Sequence, residues 1–174
     1  MTDVKPDAFS RRHLLVGAAA FAAIGVVAPR RSAASVATVG APAPTFSLTS
    51  STGPAVSLAD QRGKIVVLEW TNHECPYVRK HYETSNMQSL QKEATGQGVV
   101  WLSVISSAPG TQGHVSAGQA NELTKTRNAS PTAVLFDPTG TVGKAFGATN
   151  TPHMYVITKD GVLAYAGAID DKPT

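Results

Sequence analysis

Apolar residues arrive along this chain in short blocks separated by polar turns. Residues 64–70 (Lys-Ile-Val-Val-Leu-Glu-Trp), 99–105 and 133–136 are near-continuous apolar runs of strand length, the form taken by strands covered on both faces of a sheet. Between the first two, residues 76–97 predict one long helix. Pro76 opens it, Gly96 and Gly98 end it, and Tyr77, Lys80/His81, Thr84, Met87, Leu90 and Gln91 form one face. Residues 106–116 predict a mobile surface loop, residues 117–125 a second helix, and residues 142–146 a short helix after the turn Asp137-Pro138-Thr139-Gly140. Residues 154–157 and 162–166 flank Lys159-Asp160-Gly161 and predict a closing hairpin. Ahead of the first buried strand, residues 45–48 and 55–57 read as short strands around a Ser/Thr/Gly turn, and residues 58–63 as a surface turn. Apolar strands alternating with helices predict an α/β sandwich, its central sheet mixed because the final hairpin is antiparallel.

The N-terminal segment follows a different logic. Ser10-Arg11-Arg12-His13-Leu14-Leu15 precedes an apolar stretch over residues 16–28 and then small residues, the order of an export signal, with an arginine pair resembling the twin-arginine type. Residues 1–37 are accordingly expected to be a cleaved signal, with a cut between about residues 32 and 38. Residues 38–174 are then the functional domain, expected in the periplasm. Charge supports the division. The whole chain carries 15 Lys/Arg and 12 Asp/Glu, and Lys5, Arg11, Arg12, Arg30 and Arg31 lie in the first segment, leaving ten of each sign from residue 38 onward. A neutral body without a basic stripe or zinc-finger spacing excludes nucleic acid as a partner.

Chemistry concentrates at Cys75, the only cysteine among 174 residues. In an exported protein a lone cysteine either pairs with another molecule or stays a free reactive thiol. It stands between a buried strand and Pro76, whose fixed φ and missing N–H suit the first helical position, so Cys75 is the expected N-cap with free backbone amides aimed at its sulfur. Helix-end charge effects of about 0.3–1 kcal/mol, about 2 in sheltered geometry, lower a thiol pKa by up to roughly one and a half units. Arg79 at i+4 and Lys80 act in the same direction, and Glu74 opposes them. Trp70 is expected to pack at the strand end, and His73 and His81 to face solvent. His153 is a candidate because its loop is expected near Cys75.

The order of Gly40-Ala41-Pro42-Ala43-Pro44-x-Phe46, Trp70 before Cys75-Pro76, Phe136-Asp137-Pro138-x-Gly140, Phe146-Gly147 and Thr151-Pro152-x-x-Tyr155-Val156-Ile157 with Asp160-Gly161 resembles the thioredoxin-like redoxin group, which includes the peroxiredoxins (alkyl hydroperoxide reductase/thiol-specific antioxidant proteins). The resemblance spans about residues 39–170. It implies a thioredoxin-like three-layer sandwich, with Cys75 as nucleophile and Pro152, after Thr151, as a cis-proline facing the sulfur and helping to hold an extended thiol substrate. Three departures stand out. Val78 occupies the place of the second cysteine in Cys-x-x-Cys. The peroxidase motif Pro-x-x-x-Thr-x-x-Cys is not kept, with Trp70 at −5 and Asn72 at −3 from Cys75, and the arginine that peroxidases carry after the Asp turn is missing. Relatives in the group continue past the hairpin into another helix and end near a further cysteine, so the chain reads as shortened, lacking its C-terminal helix.

The resulting expectation is a thiol oxidoreductase or antioxidant without cofactor or metal. Cys75 reduces a peroxide or exchanges with a disulfide, Arg79 helps electrostatically, and an external thiol (a small thiol or a thioredoxin-like protein) recycles the sulfur. A disulfide-linked dimer is a possible product. Two rival readings are a Cu(I)- or Zn-binding protein using Cys75, His153 and either His73 or His81, and a degenerate redoxin acting only as a binding module.

Overall fold

The computed structural model describes residues 1–2 and 36–171; the expected export signal, apart from its ends, lies outside them. Seven strands form one sheet: β1 Ser47–Ser50, β2 Ala55–Ser57, β3 Val66–Trp70, β4 Val100–Ile105, β5 Ala133–Phe136, β6 His153–Ile157 and β7 Leu163–Gly167. Their order is β2-β1-β5-β4-β3-β6-β7. β3, β4 and β5 run parallel and every other pairing is antiparallel, so the sheet is mixed, as the sequence predicts. The parallel strands are joined through helices: α1 Pro76–Glu83 and α2 Asn86–Gly96 between β3 and β4, and α3 Ala117–Thr126 between β4 and β5. α4 Thr141–Phe146 leads to β6.

Side chains alternate across the sheet because the strand period is two. Val66, Leu68, Trp70, Leu102, Val104, Leu135, Tyr155 and Ile157 face one side and pack with Phe46, Leu58 and Phe146 of α4. Trp101, Met154 and Val67 face the other side, beneath Val78, Tyr82 and Met87 of α1 and α2. Ile105 and Val134 meet Val115 and Ala120 under α3. The sheet is thus the middle of three layers.

Two expectations need correction. The single helix over residues 76–97 is broken, since Ser85 takes a left-handed φ of 60° between α1 and α2. Thr84 explains the stop, because its hydroxyl donates to the Lys80 carbonyl at 2.8 Å and competes with helix continuation. The break resets the helical phase. Val78, His81, Tyr82, Met87 and Gln91 become the buried positions, Tyr77 and Leu90 are exposed, and His81 is buried rather than solvent-facing. Residues 106–116 form a loop that is exposed at 109–112 and anchored by the buried Val115 and by a Gly113 backbone bond to Glu74.

Candidate functional site

Cys75 lies where β3 hands over to α1. Its backbone is extended (φ −68°, ψ 126°), it is the N-cap of α1, and Pro76 follows at the first helical position. The loop turns tightly, with the Cys75 N–H on the Asn72 carbonyl at 3.0 Å and the Glu74 N–H on Asn72 Oδ1 at 2.9 Å. The thiol is half-buried, and Sγ lies 3.1 Å from the Thr151 carbonyl oxygen. The Thr151–Pro152 bond is cis, and Pro152 is buried. The fold therefore brings Cys75, Thr151 and Pro152 together across 76 residues of sequence.

Partial burial pushes the Cys75 thiol up, but the Thr151 side chain and the backbone N–H groups of Val78 and Tyr77 pull it further down, and its pKa lies below the ordinary value. The contact of Sγ with the Thr151 carbonyl differs in kind, because only the protonated thiol can donate to it, whereas the helix N–H groups donate to the thiolate.

Other sequence candidates fall at varied distances from this centre. Arg79 is exposed and places Nε 3.2 Å from Glu83 Oε1 on its own helix. His153 sits beside Pro152, with Nδ1 3.1 Å from the Tyr155 hydroxyl, and burial lowers its pKa. Tyr155 itself is pushed up to about 12 by burial. The His73 carbonyl accepts from Arg127 Nη2 at 3.1 Å. His81 is within 2.9 Å of Asn86 Nδ2 and 3.5 Å of Asp170 Oδ2. Among the described residues no group of three or more His, Cys, Asp or Glu side chains gathers into a metal-binding set, so the three ligands of the rival metal reading do not converge.

Trp70 packs at the strand end as expected, against Phe146 and Tyr155 at 5.3 and 5.2 Å between ring centroids. Its indole N–H donates to Ser106 Oγ (3.0 Å), which donates to the buried Asp137 carboxylate (2.8 Å). Asp137 also accepts the Gly143 N–H at 2.8 Å. The turn named in the sequence for its Asp-Pro-x-Gly pattern thus braces the strand end that carries the cysteine loop.

Sequence reasoning missed Glu69. It is fully buried on β3, opposite Ser103 of β4 and Met154 of β6. Tyr82 Oη donates to its Oε1 at 2.8 Å, while Trp101 Nε1 (2.8 Å), Ser103 Oγ (3.0 Å) and Gln91 Nε2 (3.0 Å) donate to Oε2. Burial raises its pKa against the pull of these four donors. Burial and the Glu69 charge together hold Tyr82 well above the ordinary tyrosine value, and the Arg127 guanidinium covers the Tyr82 ring at 4.8 Å. The available signal was a single charged residue inside an apolar strand. Cys75 packs against the hydrophobic cluster to which Tyr82 and Trp101 belong.

The family model described as "AhpC/TSA family" matches residues 39–166. Among solved structures, an uncharacterized conserved protein from Geobacillus kaustophilus is 26% identical with a TM-score of 0.70, over 78% of this chain and 71% of its own. An exposed lipoprotein thioredoxin from Streptococcus pneumoniae is 26% identical at TM-score 0.58, over 73% and 92%. A secreted disulfide oxidoreductase from Mycobacterium tuberculosis shares the fold at 18% identity and TM-score 0.54, over 68% and 79%. No curated protein sequence matches the chain significantly. With a thiol at a helix N-terminus facing a cis-proline in a mixed, helix-covered sheet, and a family match over most of its length, the chain belongs to the AhpC/TSA family and has a thioredoxin-like redoxin fold of thiol-redox type.

Proposed function

We propose that Cys75 is the nucleophile of a single-cysteine thiol oxidoreductase and that a disulfide sulfur is its preferred electrophile. The observation that carries this reading is Sγ at the N-terminus of α1, 3.1 Å from the Thr151 carbonyl and beside the cis-proline. An extended chain carrying the disulfide would lie along the loop ending in Pro152, next to a cleft lined by Thr71, Asn72, Ser106, Asn150 and Thr151. The thiolate forms a bond to one sulfur, the S–S bond of the substrate breaks, and the other sulfur leaves as thiolate. An external thiol then attacks the mixed disulfide and frees Cys75. Val78, fully buried at the place of a second cysteine, removes the Cys-x-x-Cys route of resolution and supports recycling by an external thiol.

Peroxide is the second reading, favoured by the family match. There a sulfur–oxygen bond forms, the O–O bond breaks, the leaving alkoxide or hydroxide takes a proton from water, and two external thiols reduce the sulfenic acid to thiol with release of water. Asn72 supports the first reading, because its carboxamide bonds the Glu74 N–H where peroxidases present a threonine hydroxyl.

Turnover with a small disulfide or with hydrogen peroxide, each with dithiothreitol as recycling thiol, tests the proposal against Cys75→Ser. Disulfide turnover lost in the serine variant supports it, and turnover with peroxide alone transfers the role to peroxide reduction. Inertness to both overturns it in favour of a binding module. The export reading of residues 1–37 is consistent with structural neighbours described as an exposed lipoprotein and as secreted. N-terminal sequencing of protein recovered from cell fractions checks it, and intact Met1 in the cytoplasm refutes it.

A further inference from the structure

Beside the nucleophile stands an acid, Glu74, and its position is set from a distant part of the chain. The Gly113 N–H donates to Glu74 Oε2 at 2.7 Å, across 39 residues of sequence. Gly113 is suited to this contact in two ways. Its φ of +80° favours glycine, and a Cβ built there would lie 2.4 Å from the Asn72 carboxamide. The Asn72 carboxamide in turn accepts the Glu74 N–H, and the Asn72 carbonyl accepts the Cys75 N–H. The loop after β4 is therefore interlocked with the three residues that precede the thiol.

We propose that Glu74 is a positioning residue whose charge is held aside by the Gly113 N–H, so that the loop over residues 106–113 sets the reactivity of Cys75. The inference rests on Cys75 being the reacting thiol. A carboxylate next to a thiolate disfavours it, and the penalty grows as the two anions approach. Gly113 gives the carboxylate a donor on the neighbouring loop, and release of that bond lets the charge swing toward the sulfur. The remaining titratable groups of the surrounding elements are already committed or set apart. On the cysteine loop and α1 these are His73, Tyr77, Arg79 paired with Glu83, Lys80 and His81 both at Asp170, and Tyr82 bonded to Glu69. Elsewhere they are His114 on the loop after β4, His153 bonded to Tyr155, and Arg127, held on the His73 carbonyl and the Tyr82 ring. Residues 109–112 of the loop are exposed, so contact with a substrate protein there would be transmitted to the thiol through Glu74.

The test is the pH profile of Cys75 alkylation by iodoacetamide in wild type, Glu74→Asp and Glu74→Ala. Aspartate keeps the charge but is one methylene too short to reach the Gly113 N–H, whereas alanine removes both charge and bond. A charge held aside predicts that Glu74→Asp moves the midpoint upward and slows alkylation at pH 7 by about three- to tenfold, the range expected for a water-exposed carboxylate about 6 Å away at an effective dielectric of about 40–80, and that Glu74→Ala does not move it upward. If alanine raises the midpoint as much as aspartate, the contact is merely structural and the proposal falls, as it does if neither variant shifts. Alkylation does not depend on the redox substrate. A profile that shifts as expected in a protein inert to disulfide and peroxide would leave the latch standing and remove only the proposed activity.

Discussion

Replacing Glu69 tests how the core under the cysteine loop is held. Glu69→Ala removes the acceptor of four buried donors, and they do not suffer equally. The Ser103 hydroxyl can rotate and Gln91 Nε2 retains the Tyr82 oxygen at 3.1 Å, but the Trp101 indole N–H and the Tyr82 O–H have no other acceptor among the described residues. Two orphaned donors at about 1–3 kcal/mol each, together with the cavity left by the side chain, give a cost of about 3–6 kcal/mol. Glu69→Gln behaves differently. Its amide oxygen in the Oε2 position keeps Trp101, Ser103 and Gln91, and its NH2 donates to the Tyr82 oxygen, leaving a single orphaned donor, the Tyr82 O–H, for a cost of about 1–3 kcal/mol. Urea unfolding followed by tryptophan fluorescence measures both. A cost below about 1 kcal/mol for alanine, or a glutamine variant as damaged as the alanine one, would refute the reasoning.

The same pair predicts a pH dependence. Burial raises the Glu69 pKa in the folded protein above its value of about 4.3 in the unfolded chain. Below the unfolded value both states carry the proton and the contribution of Glu69 to stability is whole. As pH rises through the folded value the buried group must ionise, and that contribution is lost. Glutamine does not titrate, so the advantage of wild type over Glu69→Gln is largest in acid and shrinks toward neutral pH. An advantage that grows with pH would contradict the sign of the shift.

Three further outcomes are expected. The alkylation midpoint of wild-type Cys75 lies below about 8.5, the value of a free thiol, because the α1 amides stabilise the thiolate; a midpoint at or above that value removes the support for a nucleophile. Arg79→Ala moves this midpoint little, since the guanidinium is exposed and paired with Glu83, and a rise of a full unit would assign it the electrostatic role expected from the sequence. One equivalent of peroxide leaves a trappable sulfenic acid or a Cys75-linked dimer and never an internal bridge, because the chain has one cysteine; intact mass spectrometry with a sulfenic-acid trap reads the outcome, and a fully reduced protein speaks against the peroxide reading.

The sequence by itself determined the elements and the reacting atom. Continuous apolar runs marked β3, β4 and β5 as strands buried on both faces, and Cys75-Pro76 marked a thiol at a helix start, because both signals are local in pattern. Resemblance supplied the cis-proline, which no local pattern specified. Tertiary structure decided what depends on partners distant in sequence. Thr151 meets Cys75 only because β6 pairs with β3, and Asp137 reaches Trp70 only through Ser106. His81 reads from sequence as a solvent-facing helix-end residue, and the fold buries it on the same side of α1 as Val78 and Tyr82, beside Asn86 and Asp170. Glu69 and the Gly113 contact to Glu74 escaped notice for the same reason. A charge is tolerable inside a core only where donors from other segments converge on it, and a loop bears on a neighbouring thiol only once the chain has brought them together.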